Sequence, residues 1–512
     1  MKRWLIRTAG AAAVMVTVAS AMAAGAETCS LQLKRLEASS RTTGPPSDYM
    51  FRGVYPQRFY RQIGVKLPSR PGQSDEDEFA KVITKEPASY NSQSPFRAVA
   101  KLGTQQFGFV LDSRKAADKP AAEAEASKPG AAPGSAKVAP QPLVYDRLLF
   151  DLNHNGDLTD DPVIEAPPQV TGSISISGGY ANFSFPRVDL TVDLDGTKID
   201  YAFFLSGYSQ SQYLSENQLY QYMYVSLNAA VYREGEITLD GQKLRIVVTD
   251  HNSNGRFDDL SGIDANVTGS GGTVYPRQGD MLYIDPQAAA GAYNIGYDAT
   301  TSDIQHHLAQ VLNIGGRFYD LRITPAGDTL TLEPSSMAVG HVRNAHRGYR
   351  ALVYGDQGLL KVSGDADGLA PLPVGAWKLL MYTIDQTEPV DPAKAADAKP
   401  SLLDTLAGAL LGRSEPTRPR YTVVSARAKS DYPAVEVRAG ETAELPFGAP
   451  YTPQVTGSVQ SGDKISLGMS LVGIGGEVCS NLIVDGGRPG KPAFTITDPD
   501  GKVVERGTFE YG

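Results

Sequence analysis

Two short stretches, 99 positions apart, carry the residue types and spacing of a cage for a hard cation. One reads Asp151-Leu152-Asn153-His154-Asn155-Gly156-Asp157-Leu158-Thr159-Asp160-Asp161. The other reads Asp250-His251-Asn252-Ser253-Asn254-Gly255-Arg256-Phe257-Asp258-Asp259. Oxygen-bearing side chains at alternate positions, followed by a glycine, let a chain wrap an ion, and a flexible all-oxygen cage favours Ca²⁺ over Mg²⁺. The competing reading is a metal-free Asx turn, which Asn, Asp and Gly form readily. Against it, both copies share one spacing, and each crowds carboxylates that would repel one another without a cation.

Counted as EF-hand loops, the first halves fit and the ends do not. Positions 1, 3, 5, 7 and 9 are Asp151, Asn153, Asn155, Asp157 and Thr159 in one loop. They are Asp250, Asn252, Asn254, Arg256 and Asp258 in the other. Position 12, which supplies a bidentate Glu in EF-hands, is Pro162 or Ser261. The late carboxylates are instead Asp160 and Asp161, or Asp258 and Asp259. Each loop follows an apolar β-type run, RLLF or LRIVVT, rather than an amphipathic helix. The loops thus resemble the D-x-[DN]-x-[DN]-G-x-x-D loops of integrin-type blades and dockerin-like modules, and the chain resembles bacterial secreted proteins with DLNxNGDLTDD strings. That resemblance implies structural calcium and brings no activity with it. With Asn at positions 3 and 5, affinity is expected on the order of 10⁻⁴ to 10⁻³ M, as in extracellular modules. Loop one has four Asp and no basic residue, whereas loop two has three Asp and Arg256, so loop one should have the stronger field.

Other chemistries are weakly signalled. His306-His307 and His341…His346 lack a zinc spacing such as H-E-x-x-H, and His154 and His251, inside the loops, are expected to face solvent. No P-loop, G-x-S-x-G or dinucleotide fingerprint occurs. The Tyr-rich run from 208 to 224 could stack sugars, but reads more simply as strand tyrosines at half-buried positions.

The chain begins with a basic n-region, Lys2-Arg3…Arg7, an Ala-rich apolar stretch and two A-x-A sites, so residues 1–26 read as a signal peptide. No later segment is apolar enough to span a bilayer. Removing the leader takes the formal charge from −9 to −12, which argues against nucleic acid as a partner. Cys29 and Cys479 are the only cysteines. In an oxidising compartment such a pair suggests a disulfide, with two free thiols as the alternative.

The elements that must position these loops read as all-β: multiple sandwich-like or meander units, two flexible insertions and one short helix. Residues 27–112 form an N-terminal β region, in which FRAVAKLG and QQFGFVLD read as a meander. Residues 113–142 are low-complexity and cannot bury a core. Residues 143–340 form a β domain holding both loops, with hairpin turns at Asp195-Gly196, Asp240-Gly241 and Ala326-Gly327-Asp328. Residues 341–512 form a C-terminal region interrupted by residues 386–419, where Ser401-Leu-Leu-Asp404 could cap a helix ending near Gly412. Each insertion should extend a hairpin, FGFVLD with DRLLFDLN and WKLLMYTID with RYTVVSARA. Leu372, Pro373, Gly375 and Trp377 resemble the lead strand of prealbumin- or Ig-like modules, a resemblance that implies scaffolding or adhesion. The expectation is a secreted or periplasmic, envelope-associated protein with two structural Ca²⁺ sites. It would serve a structural role or bind an unknown protein or polysaccharide. The alternative is a secreted carbohydrate-active hydrolase in which calcium is only structural.

Overall fold

Alternation of apolar and polar residues builds the first sheet. Phe96–Leu102 and Gln105–Asp112 pair antiparallel, turning at Gly103, where φ is 61°. Phe109 lies opposite Phe150 in the next strand, Arg147–Phe150, so the segment between them leaves and re-enters one hairpin, as expected. The second insertion behaves alike: Gly375–Asp385 pairs with Val423–Arg427. The computed structural model describes residues 25–37, 51, 55–64, 76–114, 142–167, 174–177, 179–215, 218–277, 279–285, 304–386, 422–459 and 465–511. The expected signal peptide, the bulk of both insertions and the helix expected after Ser401 lie outside the described residues.

The fold is all-β, in several nearly all-antiparallel sheets. The turns at Asp195-Gly196 and Asp240-Gly241 each put both central residues at positive φ (55° and 93°, 51° and 78°). That geometry matches the right-handed twist of the flanking strands, so it sets hairpin register locally. Leu194 accordingly faces Thr197, and Leu239 faces Gln242. Gly327, at φ 68°, turns the chain between strands Arg317–Ile323 and Thr329–Pro334.

One large core joins the N-terminal strands to residues 143–340. Glu27–Ser30 pairs with Thr329–Pro334, Gln32–Arg35 with Val231–Leu239, and Gln57–Ile63 with Gln218–Ala229. Phe59, Phe109, Phe150 and Phe203 run through it, with successive ring centroids 5.1, 5.8 and 5.0 Å apart. Such pairs add about 0.5–1.5 kcal/mol each beyond area burial. A second core surrounds Trp377, whose indole N–H donates to the Pro373 carbonyl at 2.8 Å.

The one α-helix among the described residues, Glu76–Val82, lacks an obvious sequence signal. It is short, and packing holds it: Phe79 and Ile83 join Val99, Val110, Leu149 and Leu158 in a small cluster. Acidic residues in its first turn and Lys81 in its last suit the helix dipole. Among the described residues no helix is long and apolar enough to cross a membrane.

The expected disulfide is absent, and both thiols are free. Cys29 is paired opposite Leu330 and sealed into the large core, where burial pushes its thiol up to about 11. Cys479 lies in Val478–Ile483 of a different sheet, opposite Ala426, with its thiol directed to the Asn481 carbonyl. Strand pairing fixes each cysteine separately, and that pairing is invisible to cysteine counting.

Candidate metal centres

The two loops share a set of internal hydrogen bonds. Asp151 accepts the backbone N–H groups of Asn155 and Gly156 at 3.0 and 3.1 Å. Asp250 accepts those of Asn254 and Gly255 at 3.1 and 2.7 Å. The amides of Asn153 and Asn155 converge on Asp160 at 3.3 and 2.8 Å. Those of Asn252 and Asn254 converge on Asp259 at 3.1 and 2.6 Å. The backbone repeats too. Positions 4 and 6 are left-handed in both loops: His154 (58°) and Gly156 (77°), Ser253 (60°) and Gly255 (84°). Positive φ at a non-glycine residue is uncommon, so its recurrence at one position marks a shared wrap.

Positions 1, 3, 5 and 10 therefore gather their side chains, and positions 7 and 9 do not join them. Asp157 instead pairs with Lys85 at 2.6 Å and accepts the Thr159 hydroxyl, and these contacts hold its carboxyl down at about 2. Arg256 grips Asp258 through two bonds, at 2.9 and 3.0 Å, and approaches Asp195 at 3.6 Å. Asp161 sits beside Asp151 and Asp160. Burial and those two charges push it up to about 6. The amide oxygens of Asn153, Asn155 and Asn254 accept the N–H groups of Asn155, Asp157 and Arg256 at 3.0, 2.8 and 2.9 Å, so turning one of them toward its neighbouring carboxylate would give up a backbone bond. Each loop also holds a buried oxygen without a partner, Asp161 Oδ2 in one and Asn252 Oδ1 in the other. The donor set thus suits a hard, oxygen-seeking cation. Among the described residues no group of three or more His, Cys, Asp or Glu side chains stands at metal-holding spacing. The donors gathered here are half amide.

The two loops are anchored differently. Loop one docks on the segment after the helix: Thr84 and Lys85 N–H groups donate to the Gly156 carbonyl at 2.9 and 3.1 Å, and Leu158 N–H donates to Lys85. Loop two lies deeper and ties together four parts of the chain. Tyr55 N–H donates to the His251 carbonyl, Gly103 N–H to Asn254, and Phe257 N–H to Pro325. Ser253 Oγ accepts the Ala229 N–H at 3.0 Å. Gly255 has no room for a side chain, because a Cβ there would stand 2.8 Å from the Gly103 nitrogen. Gly255→Ala is therefore expected to cost about 2 kcal/mol or more, read as a lower urea midpoint at unchanged slope.

Two residues that bond to loop two were not legible in the sequence. Asp280 is fully buried and accepts the N–H groups of His251 and Asp259 at 3.0 and 2.9 Å. Tyr201 donates its hydroxyl to Asp250 at 2.6 Å. Burial raises both Asp250 and Asp280 well above the usual carboxylate range; the Asp259 charge adds to both, and the Asp250 charge adds to Asp280. The Gly279-Asp280 step before a strand was the only available signal for Asp280. His154 is exposed, as expected. His251 is not: it is 4 % exposed, its ring lies 5.1 Å from that of Tyr55, and burial holds it at about 3. The expectation failed because His251, at position 2, packs beneath Tyr55, whereas His154 stands at position 4 of the more open loop one.

One other pair has the look of chemistry. Ser261 Oγ stands 3.2 Å from His307 Nδ1, but the two are 4 % and 7 % exposed. The pair is walled into the protein and works as a core hydrogen bond.

No family model, no curated protein and no solved structure matches this chain. The functional reading therefore stands on the loops themselves.

Proposed function

We propose that this is an exported, calcium-binding β protein in which two Ca²⁺ ions pin strand connections, in a structural or partner-binding role at the cell envelope. The observation that carries the reading is the repeated cage: the same four side chains, the same left-handed residues and a partnerless buried oxygen in each copy. Asp151, Asn153, Asn155 and Asp160 would hold one ion, with Asp161 beside them. Asp250, Asn252, Asn254 and Asp259 would hold the other. A cation at loop two would neutralise buried carboxylates and clamp the four segments that meet there. Residues 1–26 support export, which cell fractionation of the full chain tests.

Asp160→Asn and Asp259→Asn are the discriminating variants. Asp151 and Asp250 also cap their own backbones, so removing either costs stability with or without metal. Among the described residues, the side chains of Asp160 and Asp259 hydrogen-bond only to the two amides. Calorimetric titration should find two equivalents of Ca²⁺ in the wild type, one in each variant and none in the double variant. Heats no larger than buffer dilution for a folded wild type would sink the proposal.

A further inference from the structure

The long hairpin carries a feature that neither loop touches. Thr197–Ser215 and Gln218–Ala229 are flanked by Tyr180–Ser184 on one side and Gln57–Ile63 on the other. One face of this sheet is core: Phe59, Phe183, Met223 and Val225 are buried. The alternate positions point away from the core and bring five tyrosines together. Tyr208 lies opposite Tyr224, which lies opposite Tyr60; Tyr222 and Tyr180 flank Gln210. Successive ring centroids are 6.3 Å (Tyr180–Tyr208), 5.5 Å (Tyr208–Tyr224) and 5.3 Å (Tyr224–Tyr60), with Tyr222 5.9 Å from Tyr208. Tyr180 is 42 % exposed and the other four are half-buried.

We propose that this tyrosine row is a binding face for a neutral polysaccharide chain. Four strands set about 4.8 Å apart give a flat strip about 14 Å wide, long enough for several sugar rings. Tyrosine supplies an apolar face for sugar C–H groups and a hydroxyl for their oxygens. Between the rings stand Asn182, Gln62 and Gln210, which donate and accept at once. At the outward-facing alternate positions Ser206, Tyr208, Gln210 and Gln212 and their register partners, Arg58 is the only ionised side chain and no aliphatic side chain occurs. That chemistry matches an uncharged, hydroxyl-rich chain. It offers little to a polyanion, since Arg58 is the one cation at hand. The rings sit on paired strands, so little side-chain freedom is lost on binding. The inference stands apart from the calcium reading, because no ring belongs to either loop.

Native affinity electrophoresis tests it, with hydroxyethylcellulose, soluble xylan, laminarin or glycol chitin cast in the gel, polygalacturonate as the acidic comparison, and CaCl₂ or EGTA in parallel. The expected result is retardation by at least one neutral glycan in both buffers. Tyr222→Ala and Tyr180→Ala should each weaken it at least tenfold, and Tyr222→Phe should retain most of it. Tyr180 stands at the exposed edge, so Tyr180→Ala keeps the test decisive even if Tyr222→Ala does not fold. Unfolding temperatures confirm that each variant is folded. No retardation by any neutral glycan, retardation by polygalacturonate alone, or retardation unchanged in Tyr180→Ala would each overturn the proposal.

Discussion

Calcium at about 10 mM is expected to raise the unfolding temperature by several degrees over excess EGTA, with magnesium giving little of the rise. Preferential binding to the native state stabilises by RT ln(1 + [L]/Kd), and at a Kd of 10⁻⁴ to 10⁻³ M each site contributes about 1.4–2.7 kcal/mol. Each kcal/mol moves the midpoint of a domain of this general size by about 2–4 °C. Magnesium holds its waters and demands a near-octahedral shell, which a loop built of amides and spread carboxylates does not supply. By that relation the tighter site gives the larger share, and loop one, with four Asp and no basic residue, has the stronger field. Asp160→Asn would then remove more of the rise than Asp259→Asn. Identical midpoints in calcium and EGTA would reduce both loops to Asx turns.

The second large effect is acid lability through His307. Its ring is fully enclosed, hydrogen-bonded to Ser261 and faced by the charges of Lys361 and Arg427, with His251 nearby. Burial first, and then those two cations, lower it from the ordinary 6.5 to about 4. The folded state therefore prefers the neutral ring. The stability this gives is complete above pH 6.5 and falls away as pH drops toward 4. A shift of that size corresponds to about 3 kcal/mol. Asp250 and Asp280, raised in the folded state, titrate in the opposite sense and blur the total. Comparison with His307→Gln isolates the histidine, because the same carboxylates are present in both chains. The stability gap between wild type and variant should narrow by about 3 kcal/mol from pH 7 to pH 4 in urea titrations. Parallel curves across that range would show that His307 does not titrate in this window.

Much of the molecule is written in short-range pattern. The turns at Asp195-Gly196 and Asp240-Gly241 and the left-handed Gly156 and Gly255 follow from what a few neighbouring residues can do. A glycine or an Asp-Gly pair selects its backbone conformation with no help from the rest of the chain. The oxygen-bearing side chains of each loop are set the same way, by positions 1, 3 and 5 of one wrap.

What tertiary structure alone decided lies between residues far apart in the chain. Cys29 and Cys479 have the count of a disulfide, but they belong to different sheets, and strand pairing outweighs what cysteine number suggests. His154 and His251 sit in near-identical loops, yet one loop is open to water and the other is roofed by Tyr55 and the Gly103 turn. Asp280 reaches loop two from just before the strand Met281–Ile284. Tyr60 and Tyr180 complete a row that the hairpin only begins. The helix Glu76–Val82 is too short to persist alone, and forms because Phe79 finds Val99, Val110 and Leu149 beneath it. Local sequence determines which backbone shapes and ligand sets are available, since those depend on φ and on spacing. Burial and proximity depend on how whole sheets pack, and this energy is spread over residues that no short window contains.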